Sequence, residues 1–157
     1  MLLRKTFNAA VADFADASID VLHVDGLHTY EAVTEDFATW RPKLSPRAVV
    51  LFHDTNEPKG DFGVWRLWAE LRSSFPGFEF LHSHGLGVLQ YGPGAAPAVA
   101  ALCTLEAPRQ IEETRRRFQF LGEQVMLRSQ LLAMRSRAEA ESRGPAASAT
   151  DPIAAGN

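Results

Sequence analysis

Ile19-Asp20-Val21-Leu22-His23-Val24-Asp25-Gly26-Leu27-His28 and Ala48-Val49-Val50-Leu51-Phe52-His53-Asp54-Thr55 decide the fold. Each is a short apolar run that ends in an acidic motif, Asp25-Gly26-Leu27-His28 in the first and His53-Asp54-Thr55 in the second. Runs this apolar and β-branched predict strands covered on both faces, as in parallel sheets. Parallel neighbours need a long crossover, and residues 30–44 supply one. There Tyr30, Val33, Phe37, Trp40 and Leu44 recur at steps of three and four, which is one face of a helix. Thr29 can cap its start and Pro42 marks its end, and Ser45-Pro46-Arg47 turns the chain into the second strand. The two acidic motifs then meet at the C-terminal edge of one sheet, where open α/β sheets bind ligands.

Outward from this unit, Asn8 to Phe14 has weak helical character. Beyond Asp54 a loop from Thr55 to Asp61 precedes a helix whose apolar face is Val64, Leu67, Trp68, Leu71 and Phe75, stopped by Pro76-Gly77. Residues 78–81 and 86–91 read as two further strands, and the short turn between them predicts antiparallel pairing. The expected organisation is a domain over residues 1–94, an Ala/Pro linker over 95–107, a long charged helix over 108–142 and a disordered tail over 143–157. In the long helix Ile111, Thr114, Phe118, Leu121 and Val125 keep a three-four spacing that Arg128 interrupts, the pattern of a short coiled coil or of a helix docked on the domain.

The 157 residues carry 16 basic and 19 acidic side chains, for a net charge of −3. That balance argues against nucleic-acid binding driven by phosphate contacts. One cysteine, Cys103, permits no internal disulfide and reads as a packed side chain in a reducing compartment. No apolar run reaches the roughly 18–20 residues of a membrane span, and the first five residues are too short on apolar side chains for a secretory signal. A cytoplasmic location is expected.

Two carboxylates brought to one sheet edge repel, and a divalent cation removes the repulsion. Asp25 and Asp54 with His53 suit Mg²⁺ or Mn²⁺, and a second imidazole would move the preference towards Fe, Zn or Ni. His28 lies one short turn past Asp25, as a ligand or as a base beside the metal. The competing reading has Asp25 and Asp54 capping the helices that follow them. His23, inside the strand, is expected as a packed core histidine. His82 and His84 reach the same edge if the strand before them is parallel to the first two. Glu31, Glu35 and Asp36 fall on the polar side of the crossover helix.

Residues 18–33, with Asp36-Phe37, Trp40, Leu44-Ser45-Pro46 and residues 49–55, resemble the C-terminal half of a class I S-adenosylmethionine-dependent methyltransferase. The nearest group is the metal-dependent O-methyltransferases of methyltransferase family 24, which includes macrolide-sugar methyltransferases and often accompanies bacterial glycosyltransferases. The resemblance covers Phe7 to Tyr91. It implies an α/β, partial Rossmann-like sheet in the family's strand order 4-5-7-6, with the last pair antiparallel. It implies Asp25, His53 and Asp54 as metal ligands and His28 as the general base. The implied reaction is metal-assisted methyl transfer to a hydroxyl of a small molecule, sugar or glycan, with Trp65 and the loop at 56–61 flanking the acceptor. The family's cofactor cradle, a Gly-rich turn after the first strand and an acidic residue after the second, has no counterpart in these residues, and Arg47-Ala48 stand where many relatives have glycines. The chain is therefore expected to be a fragment of a longer frame, with a split enzyme or a decayed remnant as alternatives, and to bind the cofactor weakly alone. A non-catalytic interaction module, partnered by an N-terminal half or a glycosyltransferase, and a metal-dependent oxygenase or hydrolase are the competing functions.

Overall fold

In the computed structural model, which describes residues 2–142, the two motif-bearing strands lie side by side and parallel. Strand β1 (Ile19–Val24) pairs with β2 (Leu44–His53) in the register Val21↔Val49 to Val24↔Phe52. Asp25 and Asp54 thus leave their strands at neighbouring points of one edge. The crossover is helix α2 (Tyr30–Trp40), capped by Thr29, whose Oγ1 accepts from Ala32 N at 3.3 Å. Its buried face is Val33, Phe37 and Trp40. The helix ends earlier than its apolar spacing suggests. Residues Arg41–Lys43 form a 3-10 turn around Pro42, which offers no N–H to continue the ladder. Leu44, expected on the helix, instead opens β2 opposite Ile19, and Ser45-Pro46-Arg47 belongs to the strand rather than to a turn.

The remaining sheet follows the expected order. Helix α3 (Val64–Arg72) leads to β3 (Gly77–Phe80), and β4 (Leu86–Gln90) inserts between β3 and β2, antiparallel to both. The order is β1-β2-β4-β3, so β3 runs in the same direction as β1 and β2. Phe75 falls beyond α3 but still packs on the core, its ring stacked on Tyr91 at 5.3 Å.

Helices cover the sheet unequally. A short helix α1 (Phe7–Ala10), α2 and α3 pack on Leu22, Val24, Val50, Phe52 and Leu89. Phe52 is fully buried, with Phe37 at 5.6 Å and Trp68 at 6.2 Å between ring centroids. The opposite face, built on Val49, Phe78, Phe80 and Val88, is covered by α4 (Pro97–Cys103) and Ile111. Residues 95–107, read as a linker, therefore hold a helix that buries Cys103 against the sheet. Alanine favours helix, and Pro97 sits in the first turn, where its missing N–H costs nothing. The cover stops short of β1. Val21 is 62% exposed and His23 is exposed, so β1 is buried on one face only and His23 is not a core residue. Among the described residues β1 is an edge strand, which explains the difference.

Helix α5 (Pro108–Ser142) carries the expected long helix. The chain divides into two units, residues 1–116 and 117–157. In the second, Phe118, Leu121 and Val125 are exposed. The tail expected over 143–157 lies outside the described residues. No helix among those described is long and apolar enough to cross a membrane.

Candidate metal centre

The edge formed by β1 and β2 gathers all four residues that the sequence singles out. His28 Nε2 lies 2.9 Å from Asp54 Oδ2 and 3.5 Å from Asp25 Oδ1. His53 Nδ1 lies 2.7 Å from Asp54 Oδ1 and 3.5 Å from Asp25 Oδ1. Asp25, His28 and His53 each offer a ligand atom within 4.8 Å of the others. Asp54 is the buried member, with its side chain 7% exposed.

Neither carboxylate caps a helix. Thr29 caps α2, and α3 starts at Gly63 without a side-chain cap. The capping alternative therefore fails for both, and the carboxylates are free for the cluster. Each member is held by its own local device. Asp54 adopts φ 61°, a left-handed conformation that aspartate tolerates better than most residues. Its N–H donates to Gly85 O at 3.0 Å, and Asn56 N donates to His84 O at 2.8 Å. The turn between β3 and β4 thereby braces the end of β2. Gly85, at φ 91°, must be glycine there, since a Cβ would stand 2.5 Å from Asn56 N. His28 stacks on Phe62, with centroids 4.9 Å apart and planes at 9°, and its carbonyl accepts from Gly63 N at 2.8 Å.

The buried atoms His28 Nε2, His53 Nδ1 and Asp54 Oδ1 make no hydrogen bond despite these short separations. Such close approach without hydrogen-bond alignment is costly in a metal-free protein. It suits lone pairs aimed at one cation. Donor atoms about 2.1 Å from a shared ion lie roughly 3.0–3.4 Å apart, close to the separations seen here. The residues present therefore fit a divalent metal.

His82 and His84 do reach the active edge, as the direction of β3 requires, but stand outside the cluster. His84 Nδ1 lies 3.0 Å from Glu57 Oε2, and that contact holds the Glu57 carboxyl below its usual range. Asp36, expected on the polar side of α2, is half-buried. A Cβ at Gly26 would stand 2.9 Å from its Oδ2, and burial, with Glu35 adding to it, pushes its carboxyl up. Phe62 and Gly63 were not expected at the site. An isolated Phe-Gly pair before a helix carries no signal of its own, and only the fold brings it against His28. Beside the cluster a cleft of about 520 Å³ runs along β1, lined by Leu3, Phe7, Phe14, His23, Asp25 and Trp40.

Fold and site together define an α/β domain with a His/Asp cluster at the carboxyl edge of its sheet. A family model described as a methyltransferase domain matches residues 1–55, the stretch that contains Asp25, His28, His53 and Asp54. These residues are similar to a methyltransferase domain. The chain is also similar to an uncharacterized protein, y4gI, of Sinorhizobium fredii (strain NBRC 101917 / NGR234), 54% identical over 101 residues. That similarity covers 64% of this chain and 11% of the relative, so the chain spans about a tenth of the relative's length. No solved structure matches the chain.

Proposed function

We propose that this chain carries the metal-binding and acceptor side of an S-adenosylmethionine-dependent O-methyltransferase. The observation that carries the reading is the convergence of Asp25, His28 and His53, with Asp54 against both imidazoles, inside the residues that match a methyltransferase domain. A divalent cation bound there would supply Lewis acidity, lowering the pKa of an acceptor hydroxyl. Asp25 and Asp54 supply the negative charge that holds it, and Asp54 is fixed by the brace from Gly85. The acceptor's proton would pass to a base beside the cation. S-adenosylmethionine, when bound, would supply an electrophilic methyl group, and the residues of this edge would hold the acceptor oxygen in line with it. The cleft along β1 gives space for an organic molecule next to Asp25. A sugar or glycan hydroxyl is the acceptor class this reading favours, and the cofactor-binding half expected from the family resemblance is the partner it proposes.

Label transfer tests the reading. Methyl-labelled cofactor and a panel of hydroxyl acceptors are combined with the chain and a supplied cofactor-binding half. Label on acceptor oxygen that vanishes on chelation supports it. Transfer that survives chelation, or none with any acceptor, counts against it.

A further inference from the structure

Two imidazoles face the cluster, not one. His53 Nδ1 and His28 Nε2 stand 2.7 Å and 2.9 Å from the two oxygens of Asp54, and each lies 3.5 Å from the same Asp25 oxygen. The two imidazoles thus flank the same pair of carboxylates, each on its own oxygen of Asp54. A base serving an acceptor would direct its nitrogen towards the acceptor's space. His28 Nε2 is instead buried, lacks a hydrogen bond and points at carboxylate oxygens. Its ring is held in that direction by Phe62. Asp54 adds a buried carboxylate to the same point, with its side chain 7% exposed and Oδ1 unpartnered.

We propose that His28 and His53 are both ligands, and that with Asp25 and Asp54 they take a divalent first-row transition ion in preference to Mg²⁺. This rests on the proposed metal centre and replaces the base role expected for His28. The chemistry follows from the donors. Mg²⁺ prefers oxygen, keeps several waters and demands near-octahedral geometry. Imidazole nitrogens favour iron-to-zinc ions over Mg²⁺ and Mn²⁺, with carboxylates completing the shell and balancing the charge.

The full chain, stripped with a chelator, is titrated with Mn²⁺, Zn²⁺ and Mg²⁺ by calorimetry, and pulsed electron paramagnetic resonance of the Mn²⁺-loaded protein counts directly bound nitrogens. Zn²⁺ is expected to bind at least about a hundredfold tighter than Mg²⁺, with Mn²⁺ between them and two imidazole nitrogens on the Mn²⁺. His28→Ala should weaken Mn²⁺ binding at least about tenfold and leave one nitrogen. Equal affinity for Mg²⁺, a count of one or none, or an unchanged affinity in His28→Ala would each overturn the assignment. The nitrogen count on the unmodified chain stands even if the variant fails to fold. Two bound nitrogens without methyl transfer would sink the proposed reaction and leave this assignment intact; methyl transfer with Mg²⁺ and no bound nitrogen would do the reverse.

Discussion

His28 Nε2 and Asp54 Oδ2 approach to 2.9 Å across the ends of two strands, yet the imidazole nitrogen has no hydrogen-bond partner. On the proposed metal centre the two groups are ligands of one cation rather than partners of each other. Adding the preferred cation should therefore stabilise the fold. At a hundred times its dissociation constant the gain is about 2.7 kcal/mol, which thermal unfolding with and without chelator would measure. A melting temperature indifferent to every divalent ion would rule the centre out.

Asp54 sits at φ 61° with a buried, unpartnered oxygen, so it costs the metal-free fold stability. Asp54→Gly should remove both costs and raise metal-free stability by about 1 kcal/mol. It should also abolish cation binding. Denaturant unfolding and calorimetry on the same variant check the two halves, and a variant both less stable and still metal-binding contradicts them.

Gly85 holds the brace on Asp54. Gly85→Ala forces a Cβ to within 2.5 Å of Asn56 N at φ 91°, and should cost about 1–3 kcal/mol. Cation affinity should fall with it, because the displaced Asn56 adjoins Thr55 and Asp54. Loss of stability at unchanged affinity would show that the turn supports the fold alone.

How far the sequence led depends on what each residue needs from its neighbours. The β1-α2-β2 unit was legible because its signals are local: two apolar runs, a 3.6-residue period and a Thr29 cap. The meeting of Asp25, His53 and Asp54 followed from strand direction alone. Leu44 misled because an apolar residue after Pro42 serves a helix face or a strand start equally well. His23 misled because burial on a strand depends on what lies beyond it, and β1 has one covered face. The Ala-rich segment at 95–107 looked like a linker because its helix is decided by packing of Cys103 and Val99 on the sheet. Phe62 against His28 is a purely tertiary contact.

Phe52 tests the core that carries both motifs. Its ring is fully buried between Phe37 and Trp68, at the point where β2 delivers His53 and Asp54. Phe52→Ala should destabilise by about 3–5 kcal/mol in denaturant unfolding. Phe52→Leu should cost much less and leave cation binding intact.

Asp20 contributes to the acid side of stability. Ser45 Oγ donates to its Oδ1 at 2.5 Å and Arg47 donates to its Oδ2 at 2.8 Å, joining β1 to β2 beside the irregular step between Ile19 and Val21. The Ser45 hydrogen bond, then that of Arg47, hold its carboxyl below the ordinary value of 3.8. A carboxyl lowered in the folded state stabilises the fold fully above its unfolded pKa and loses that contribution as pH falls through its folded pKa. The window therefore lies below 3.8, and neutral pH is unaffected by titration of this group. Arg47→Ala and Ser45→Ala should each reduce the steepness of acid unfolding in that window, Ser45→Ala more. Asp20→Asn should remove the dependence. The group is exposed, so the effect should shrink in high salt for Arg47 and persist for Ser45. Acid titrations followed by circular dichroism at two ionic strengths separate the two contributions. An identical acid profile in all three variants would show that this carboxylate does not couple the strands.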